Sequence, residues 1–151
     1  MPPLERCETL IIREATDLIL VRQLLRQWLE ELGFGSLDRT RLLTAASELG
    51  RNTLRHGGGG SVRLEVRDEE GRRGLRLTFE DRGPGIPDLE KAMKSGFTTA
   101  GGMGLGLGGS RRLVNEFEIV SRPGEGTRVT VTQWVGSLPR ATSPFRCPCS
   151  R

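Results

Sequence analysis

The chain has 151 residues and a net charge of +4, and its composition is 35% hydrophobic, 28% charged and 5% aromatic. This length and composition predict one globular domain with an aliphatic core, which argues against a second catalytic domain. The arginines are spread along the chain without interleaved aromatic residues, and no apolar run is long enough to span a bilayer. We therefore expect a cytoplasmic protein that binds neither nucleic acid nor membranes.

Hydrophobic periodicity in the first half of the chain predicts a short strand, two amphipathic helices and a β-hairpin, in that order. The first helix should end at Gly33, and Thr16 or Asp17 should cap its beginning. Asp38 should cap the second helix, and the glycine run 57–60 should end it. The predicted ranges are 10–12 for the strand, 21–32 and 38–53 for the helices, 62–66 and 75–79 for the hairpin strands, and 68–74 for their turn.

The second half begins with a long stretch rich in glycine and proline, 83–109, and loops of this length are usually functional or disordered. It has room for one or two helical turns around 89–93. We then predict a helix over 110–116 and strands over 117–121 and 127–134, joined by a turn at 123–126.

This order of elements predicts an α+β fold. The expected architecture is a two-layer α/β sandwich in which helices cover one face of a mixed, mostly antiparallel sheet. The predicted domain covers residues 1–135, and the proline-containing segment 136–151 is expected to be a disordered tail.

Two segments carry residues suited to binding a nucleotide. Glu48 and Asn52 lie one turn apart on the second predicted helix, where a carboxylate and a carboxamide can hold Mg²⁺ and orient or deprotonate a hydroxyl. Asp81 follows a strand and can accept a hydrogen bond from the amino group of adenine, while Gly83 and Gly85 permit close backbone approach. Taken alone, the helical pair is more typical of a solvated helix face, and the Asp81 segment is equally typical of a simple turn.

A third segment is the glycine run 101–109, which leads directly into the third predicted helix. Successive backbone N–H groups and a helix N-terminus form a phosphate-binding nest that needs no lysine. Apolar residues at every second position of the run argue against a flexible linker. The run also contains G-x-G-x-x-G, but no strand precedes it and no βαβ series surrounds it, so a Rossmann unit is disfavoured. A P-loop sequence is absent as well.

The order of these segments is more specific than any one of them. Glu-x-x-x-Asn, Asp-x-Gly-x-Gly-Ile, Gly-x-Gly-x-Gly and finally Gly126-Thr127 together resemble the GHKL ATPase superfamily over about 10–134. Segments 44–52, 96–99 and 104–117 are most similar to the anti-sigma regulatory kinases, and among them to the RsbT type. Gly50 departs from the resemblance, because this type usually has alanine there.

The resemblance implies a site for Mg²⁺ and ATP. It implies that Asn52 binds Mg²⁺, that Glu48 acts as general base and that Asp81 reads adenine, whereas His56, the only histidine, receives no role. Gly104 and Gly106 would contact phosphates, and Thr127 would support the base site. The full set implied in nucleotide binding is Asn52, Asp81, Gly83, Gly85, Ile86, Gly102, Gly104, Leu105, Gly106, Leu107 and Thr127.

The implied function is a serine/threonine protein kinase that transfers the γ-phosphoryl group of ATP to a partner protein with a STAS domain. The kinase would act in a partner-switching module, with a downstream phosphatase or sigma-type regulator as a further partner. An alternative is an ATP-gated binding module that captures and releases partners with little phosphotransfer. Glu48 favours the enzyme, because a binding module needs no base.

Overall fold

A computed structural model describes residues 6–86, 93 and 106–136 of the chain. The short helical segment predicted at 89–93 lies outside the described residues except for Met93, which is in a turn. Most of the glycine run, 101–105, and the predicted tail from residue 137 onwards also lie outside them.

Five strands and three helices make up the described part of the chain. The sheet has the strand order β1-β2-β3-β5-β4, and every pairing among these strands is antiparallel. This confirms the predicted α+β fold with helices packed on a sheet. The elements are β1 (Cys7–Ile12), α1 (Ala15–Leu32), α2 (Ser36–Arg55), β2 (Gly60–Glu69), β3 (Arg72–Asp81), α3 (Gly106–Leu113), β4 (Glu116–Arg122) and β5 (Gly126–Trp134).

Helix α1 begins earlier than its predicted caps. Glu14 is the N-cap residue, so the expectation that Thr16 or Asp17 occupies that position was wrong. Asp17 still stabilises the helix start from within the first turn, because its Oδ2 accepts the backbone N–H groups of Arg13 at 2.8 Å and Glu14 at 3.1 Å. The helix ends as predicted at Gly33, which has a left-handed φ of 85°.

Helix α2 begins at Ser36 after Gly35, so Asp38 is not its N-cap residue. Asp38 lies in the first turn, where its charge is favourable for the helix dipole. Its Oδ1 accepts a hydrogen bond from Nε2 of the buried Gln133 at 3.1 Å, which ties the start of α2 to β5. At the other end, α2 stops at Arg55, just before the glycine run, as predicted.

The core lies between α1, α2 and one face of the sheet. In the central strand β3, Leu75, Leu77 and Phe79 alternate toward the helices and are almost fully buried. Gly50, where alanine is usual, lies at the contact between α2 and α1, and a Cβ at this position would lie 2.9 Å from Cδ2 of Leu18. Alanine there would require the end of the Leu18 side chain to shift, whereas glycine costs some helix propensity.

The hairpin between β2 and β3 is tighter than the turn predicted over 68–74. Only Glu70 and Gly71 separate the strands, and both have positive φ, 54° and 79°. Two such residues form the two-residue hairpin turn that matches the twist of antiparallel strands. The strands therefore run longer than the hydrophobic alternation alone indicated.

Helix α3 also begins earlier than predicted, at Gly106 instead of residue 110, and it ends at Leu113. It packs against α2. After α3 the chain forms β4 at the edge of the sheet and then β5 between β3 and β4, so the last described strand is an interior strand. Among the described helices, none is long and apolar enough to cross a membrane.

Candidate functional site

Asp81 stands at the end of β3, where the chain leaves the sheet. Its Oδ1 accepts the backbone N–H of Gly83 at 2.9 Å, an arrangement that fixes the side chain relative to the following loop. The residue is partly exposed, and it lies opposite Thr127 in the pairing of β3 with β5. The structure thus brings together two of the predicted base-site residues from distant parts of the sequence.

Gly57, just after α2, packs directly against the Asp81 carboxylate. A Cβ at Gly57 would lie 2.6 Å from Asp81 Oδ2, and a Cβ at Gly83 would lie 2.7 Å from the Gly57 Cα. The backbone N–H of Gly57 is within hydrogen-bond distance of the Asn52 carbonyl, at 3.3 Å. Gly57 therefore links Asn52, the predicted Mg²⁺ ligand on α2, to Asp81, the residue predicted to bind adenine. From the sequence, Gly57 was interpreted only as part of the glycine run that ends α2.

Two further glycines allow the loop after Asp81 to approach the turn between β4 and β5. Gly85 has a φ of 78°, and its Cβ would lie 2.8 Å from the Arg122 carbonyl carbon. Gly126 has a φ of 99°, and its Cβ would lie 2.8 Å from the Cα of Arg82. Side chains at these positions would meet both steric contact and backbone strain. Gly85 therefore packs on the protein's own backbone, and its close approach to the adenine base stays a prediction.

Ser121 joins this region through its hydroxyl group, and sequence reasoning missed it. Its Oγ accepts the backbone N–H of Ile86 at 2.8 Å and lies 2.8 Å from Oγ1 of Thr127. Ile86 and Thr127, both predicted site residues, are thus held by one serine on β4. Ser121 pairs with Thr127 in the sheet, so only knowledge of the β4-β5 register could have revealed it.

Glu48 is more buried than predicted. The sequence pattern alone was more typical of a solvated helix face, whereas the side chain of Glu48 is only 11% exposed. Its Oε1 accepts a hydrogen bond from Nη1 of Arg51 at 2.7 Å, and this arginine is missing from the predicted site. Asn52 is partly buried one turn after Glu48. A carboxylate, a guanidinium and a carboxamide thus follow one another along the same part of α2.

The glycine run enters the described structure only at its end. Gly106 and Leu107 form the first turn of α3, and Leu107 is 7% exposed and belongs to the hydrophobic core. Any contact of Leu107 with a nucleotide would therefore involve its backbone. Gly102, Gly104 and Leu105, which were also predicted to bind the nucleotide, lie outside the described residues.

The described residues fit Mg²⁺ and ATP by their chemistry. Asp81 has one oxygen engaged by the backbone N–H of Gly83, and its second oxygen has the acceptor chemistry that suits the amino group of adenine. Within the described ranges, no group of three His, Cys, Asp or Glu side chains could hold a metal ion. Mg²⁺ that arrives with a nucleotide keeps phosphate and water ligands and needs few ligands from the protein, and the carboxamide oxygen of Asn52 would be one of them.

Gly57→Ala should weaken ATP binding although residue 81 is still an aspartate. The added methyl group would displace the Asp81 carboxylate from the position where Oδ2 can meet adenine, and a shift of about 1 Å can cost a hydrogen bond worth about 1 kcal/mol or more. Calorimetric titration with ATP measures the effect. Gly58→Ala is the matched control, because Gly58 has a φ of 73° and open space around it. That variant should lose stability and keep ATP affinity; equal ATP affinities for both variants would contradict the prediction.

Comparisons with known proteins identify the family of the chain. The family model described as histidine kinase-, DNA gyrase B-, and HSP90-like ATPase matches residues 37–136. The serine/threonine-protein kinase RsbT of Bacillus subtilis (strain 168) is 45% identical over 119 residues, which cover 79% of this chain and 90% of the relative. An anti-sigma F factor of Thermoanaerobacter sp. (strain X514) is 35% identical over 99 residues, covering 62% of this chain and 68% of the factor.

A solved structure supports the fold. The crystal structure of the RsbU and RsbW domains of a Mycobacterium tuberculosis protein superposes with a TM-score of 0.61 at 24% identity. The match covers 93% of this chain and 35% of that one, so the chain corresponds to about one third of the solved polypeptide. At this identity the likeness concerns the fold alone.

Proposed function

Because the chain belongs to the histidine kinase-, DNA gyrase B-, and HSP90-like ATPase family, we propose that it is an ATP-dependent serine/threonine protein kinase of a partner-switching module. Its proposed substrate is a small regulatory protein with a STAS domain. A downstream phosphatase or a sigma-type regulator would be its second partner. The similarity to RsbT and to anti-sigma F factors supports the kinase, and the choice of a STAS substrate rests on the resemblance of the sequence segments described above.

One observation carries the proposal: a buried carboxylate and a carboxamide lie one turn apart on the helix whose end packs against Asp81. Glu48 and Asn52 supply the base and the Mg²⁺ ligand, and Gly57 links their helix to the adenine reader. This packing supports a single nucleotide site, because it brings the end of α2 next to Asp81. In this reaction the protein mainly positions groups and offsets charge.

Each residue then has a distinct task. Bound Mg²⁺ and ATP supply the transferable phosphoryl group and the cation that offsets its charge. Asp81 accepts the hydrogen bond that selects adenine, and Ser121, which contacts Thr127, holds the backbone N–H of Ile86 in the loop after Asp81. Asn52 presents its amide oxygen to the metal. Glu48 orients the hydroxyl of the substrate protein and accepts its proton as the oxygen attacks the γ-phosphorus, while the bond to ADP breaks and ADP leaves.

Incubation of the purified chain with labelled ATP, Mg²⁺ and STAS-domain proteins encoded near its gene tests the function. Incorporation of label into serine or threonine of one of them is the expected result. Tight ATP-dependent association with a partner, without incorporation, would favour the ATP-gated binding module instead. Absence of both association and incorporation with every candidate would contradict the proposed substrate class.

We propose that residues 1–135 form the complete nucleotide-binding domain, so truncation after Val135 should leave ATP affinity unchanged within about twofold. β5 ends at Trp134 and already contributes its buried residues to the described core. Calorimetry and circular dichroism on the truncated and full chains measure affinity and folding. Unfolding of the truncated chain would contradict this domain limit, whereas selective loss of partner binding would mark 136–151 as a docking segment.

A further inference from the structure

We propose that Arg51 is a positioning residue that holds the Glu48 carboxylate in the orientation needed to accept the proton of the substrate hydroxyl. This inference rests on the proposed kinase function and adds a residue to it. Its basis is the 2.7 Å hydrogen bond from Nη1 of Arg51 to Oε1 of Glu48 on α2. The neighbouring Asn52 is the proposed metal ligand, so the pair lies where transfer would occur.

Among the described residues, this contact leaves the second oxygen of the carboxylate without a hydrogen-bond partner. Arg51 engages Oε1, and the second oxygen, Oε2, is the atom that we assign to the substrate hydroxyl. A glutamate side chain has several rotatable bonds, and fixing them in one orientation costs conformational entropy. Without a partner that orders the side chain beforehand, this cost would add to the barrier of the reaction. An i, i+3 ion pair on a rigid helix supplies that order before the substrate arrives.

Glu48 and Arg51 are buried to different extents. This difference favours a role for Arg51 in positioning the carboxylate over a role in stability alone. The Glu48 side chain is 11% exposed, whereas that of Arg51 is 32% exposed. A carboxylate at this depth needs a partner, because burying an unpaired charge is costly. The more exposed arginine keeps contact with water, so the pair as a whole is only partly desolvated.

The planar guanidinium group of arginine also restricts the orientation of a bound carboxylate more than the ammonium group of lysine does. Arginine offers a fixed fork of donors, whereas lysine is a point charge on a flexible stem. If position is what Arg51 supplies, lysine should restore part of the function. An apolar side chain of similar length should restore none, although it keeps the packing of the stem.

A different role would be direct binding of ATP phosphates by Arg51, since Asn52 is next to it in sequence. The two roles predict different kinetics. A phosphate ligand would contribute to ATP affinity whatever residue occupies position 48. A positioning residue acts only through Glu48, so its removal should have no effect once Glu48 is gone.

The test is a double-mutant cycle on the full chain, with Arg51→Met, Arg51→Lys, Glu48→Gln and the combined Arg51→Met/Glu48→Gln variant. Arg41→Met, on the same helix, is the matched control. ATP affinity is measured by calorimetry, single-turnover transfer to the partner by label incorporation, and folding by circular dichroism. For Arg51→Met we expect transfer slowed by about 10²-fold, the size typical of a misplaced catalytic group. ATP affinity should stay within about threefold.

Arg51→Lys should recover part of the lost rate, and Arg51→Met should change the rate of Glu48→Gln by no more than about twofold. Equal transfer by wild type and a folded Arg51→Met variant would overturn the inference while the kinase function stands. A loss of ATP affinity as large as the loss of rate would overturn it in favour of phosphate binding. Absence of transfer by wild type with every partner would overturn the kinase proposal and this inference together.

Discussion

Glu48→Gln should leave ATP binding within about twofold of wild type and lower the rate of phosphoryl transfer by about 10²- to 10⁴-fold. Glutamine keeps the shape of the side chain and can still accept the hydrogen bond from Arg51, but its amide cannot take a proton from the substrate hydroxyl. The buried site therefore stays filled and satisfied, and only the base is lost. Label incorporation into the partner in a single turnover gives the rate.

Two controls make this result specific. Asn52→Ala should weaken Mg²⁺-dependent ATP binding and transfer together, because the metal offsets the charge of the phosphates. Glu30→Gln removes an exposed carboxylate on α1 and should change neither quantity. Transfer by Glu48→Gln at the wild-type rate would exclude Glu48 as the base.

Local patterns were enough to predict the main elements of the fold. Val21, Leu25 and Leu32 recur at helical spacing and are buried on α1, and the alternation of Leu75, Leu77 and Phe79 gave the buried face of β3. Glycine also ended both long helices where expected. These features depend on residues within a few positions of one another, which is the range over which a sequence pattern is informative.

The helix starts were harder to predict, because several residues near each start can cap it. Asp17 and Asp38 both lie in the first turn, and neither is the N-cap residue. Asp38 is engaged by Gln133, which is far away in sequence. Tertiary contacts of this kind compete with local capping and leave no local signal.

The candidate site combines local and distant information in the same way. The order of the motifs predicted Glu48, Asn52 and Asp81, but the packing of Gly57 on Asp81 depends on how α2 ends against β3. The bridge from Ser121 to Thr127 depends on the register of β4 and β5. The contact between Arg51 and Glu48 could have been predicted from their spacing of one helical turn. Many pairs at this spacing, however, are only solvated ion pairs on a helix surface.

Asp81→Asn should lower the affinity for ATP by about 10²-fold or more. The backbone N–H of Gly83 requires an acceptor at Oδ1, so the substituted amide should keep its oxygen there and turn its NH₂ group toward the position of Oδ2. That group would face the amino group of adenine, donor against donor. Calorimetric titration of the folded variant with ATP and Mg²⁺ measures the loss.

The orientation of the substituted amide also predicts a change in base preference. Guanine carries a carbonyl oxygen where adenine carries its amino group, so an NH₂ group at the Oδ2 position can donate to it, and the preference for ATP over GTP should shrink in Asp81→Asn. Glu80→Gln is the matched control, because Glu80 precedes Asp81 on β3 and is exposed. It removes the same charge and should keep both the affinity and the preference. If Asp81→Asn binds ATP as tightly as Glu80→Gln does, Asp81 does not read the adenine base.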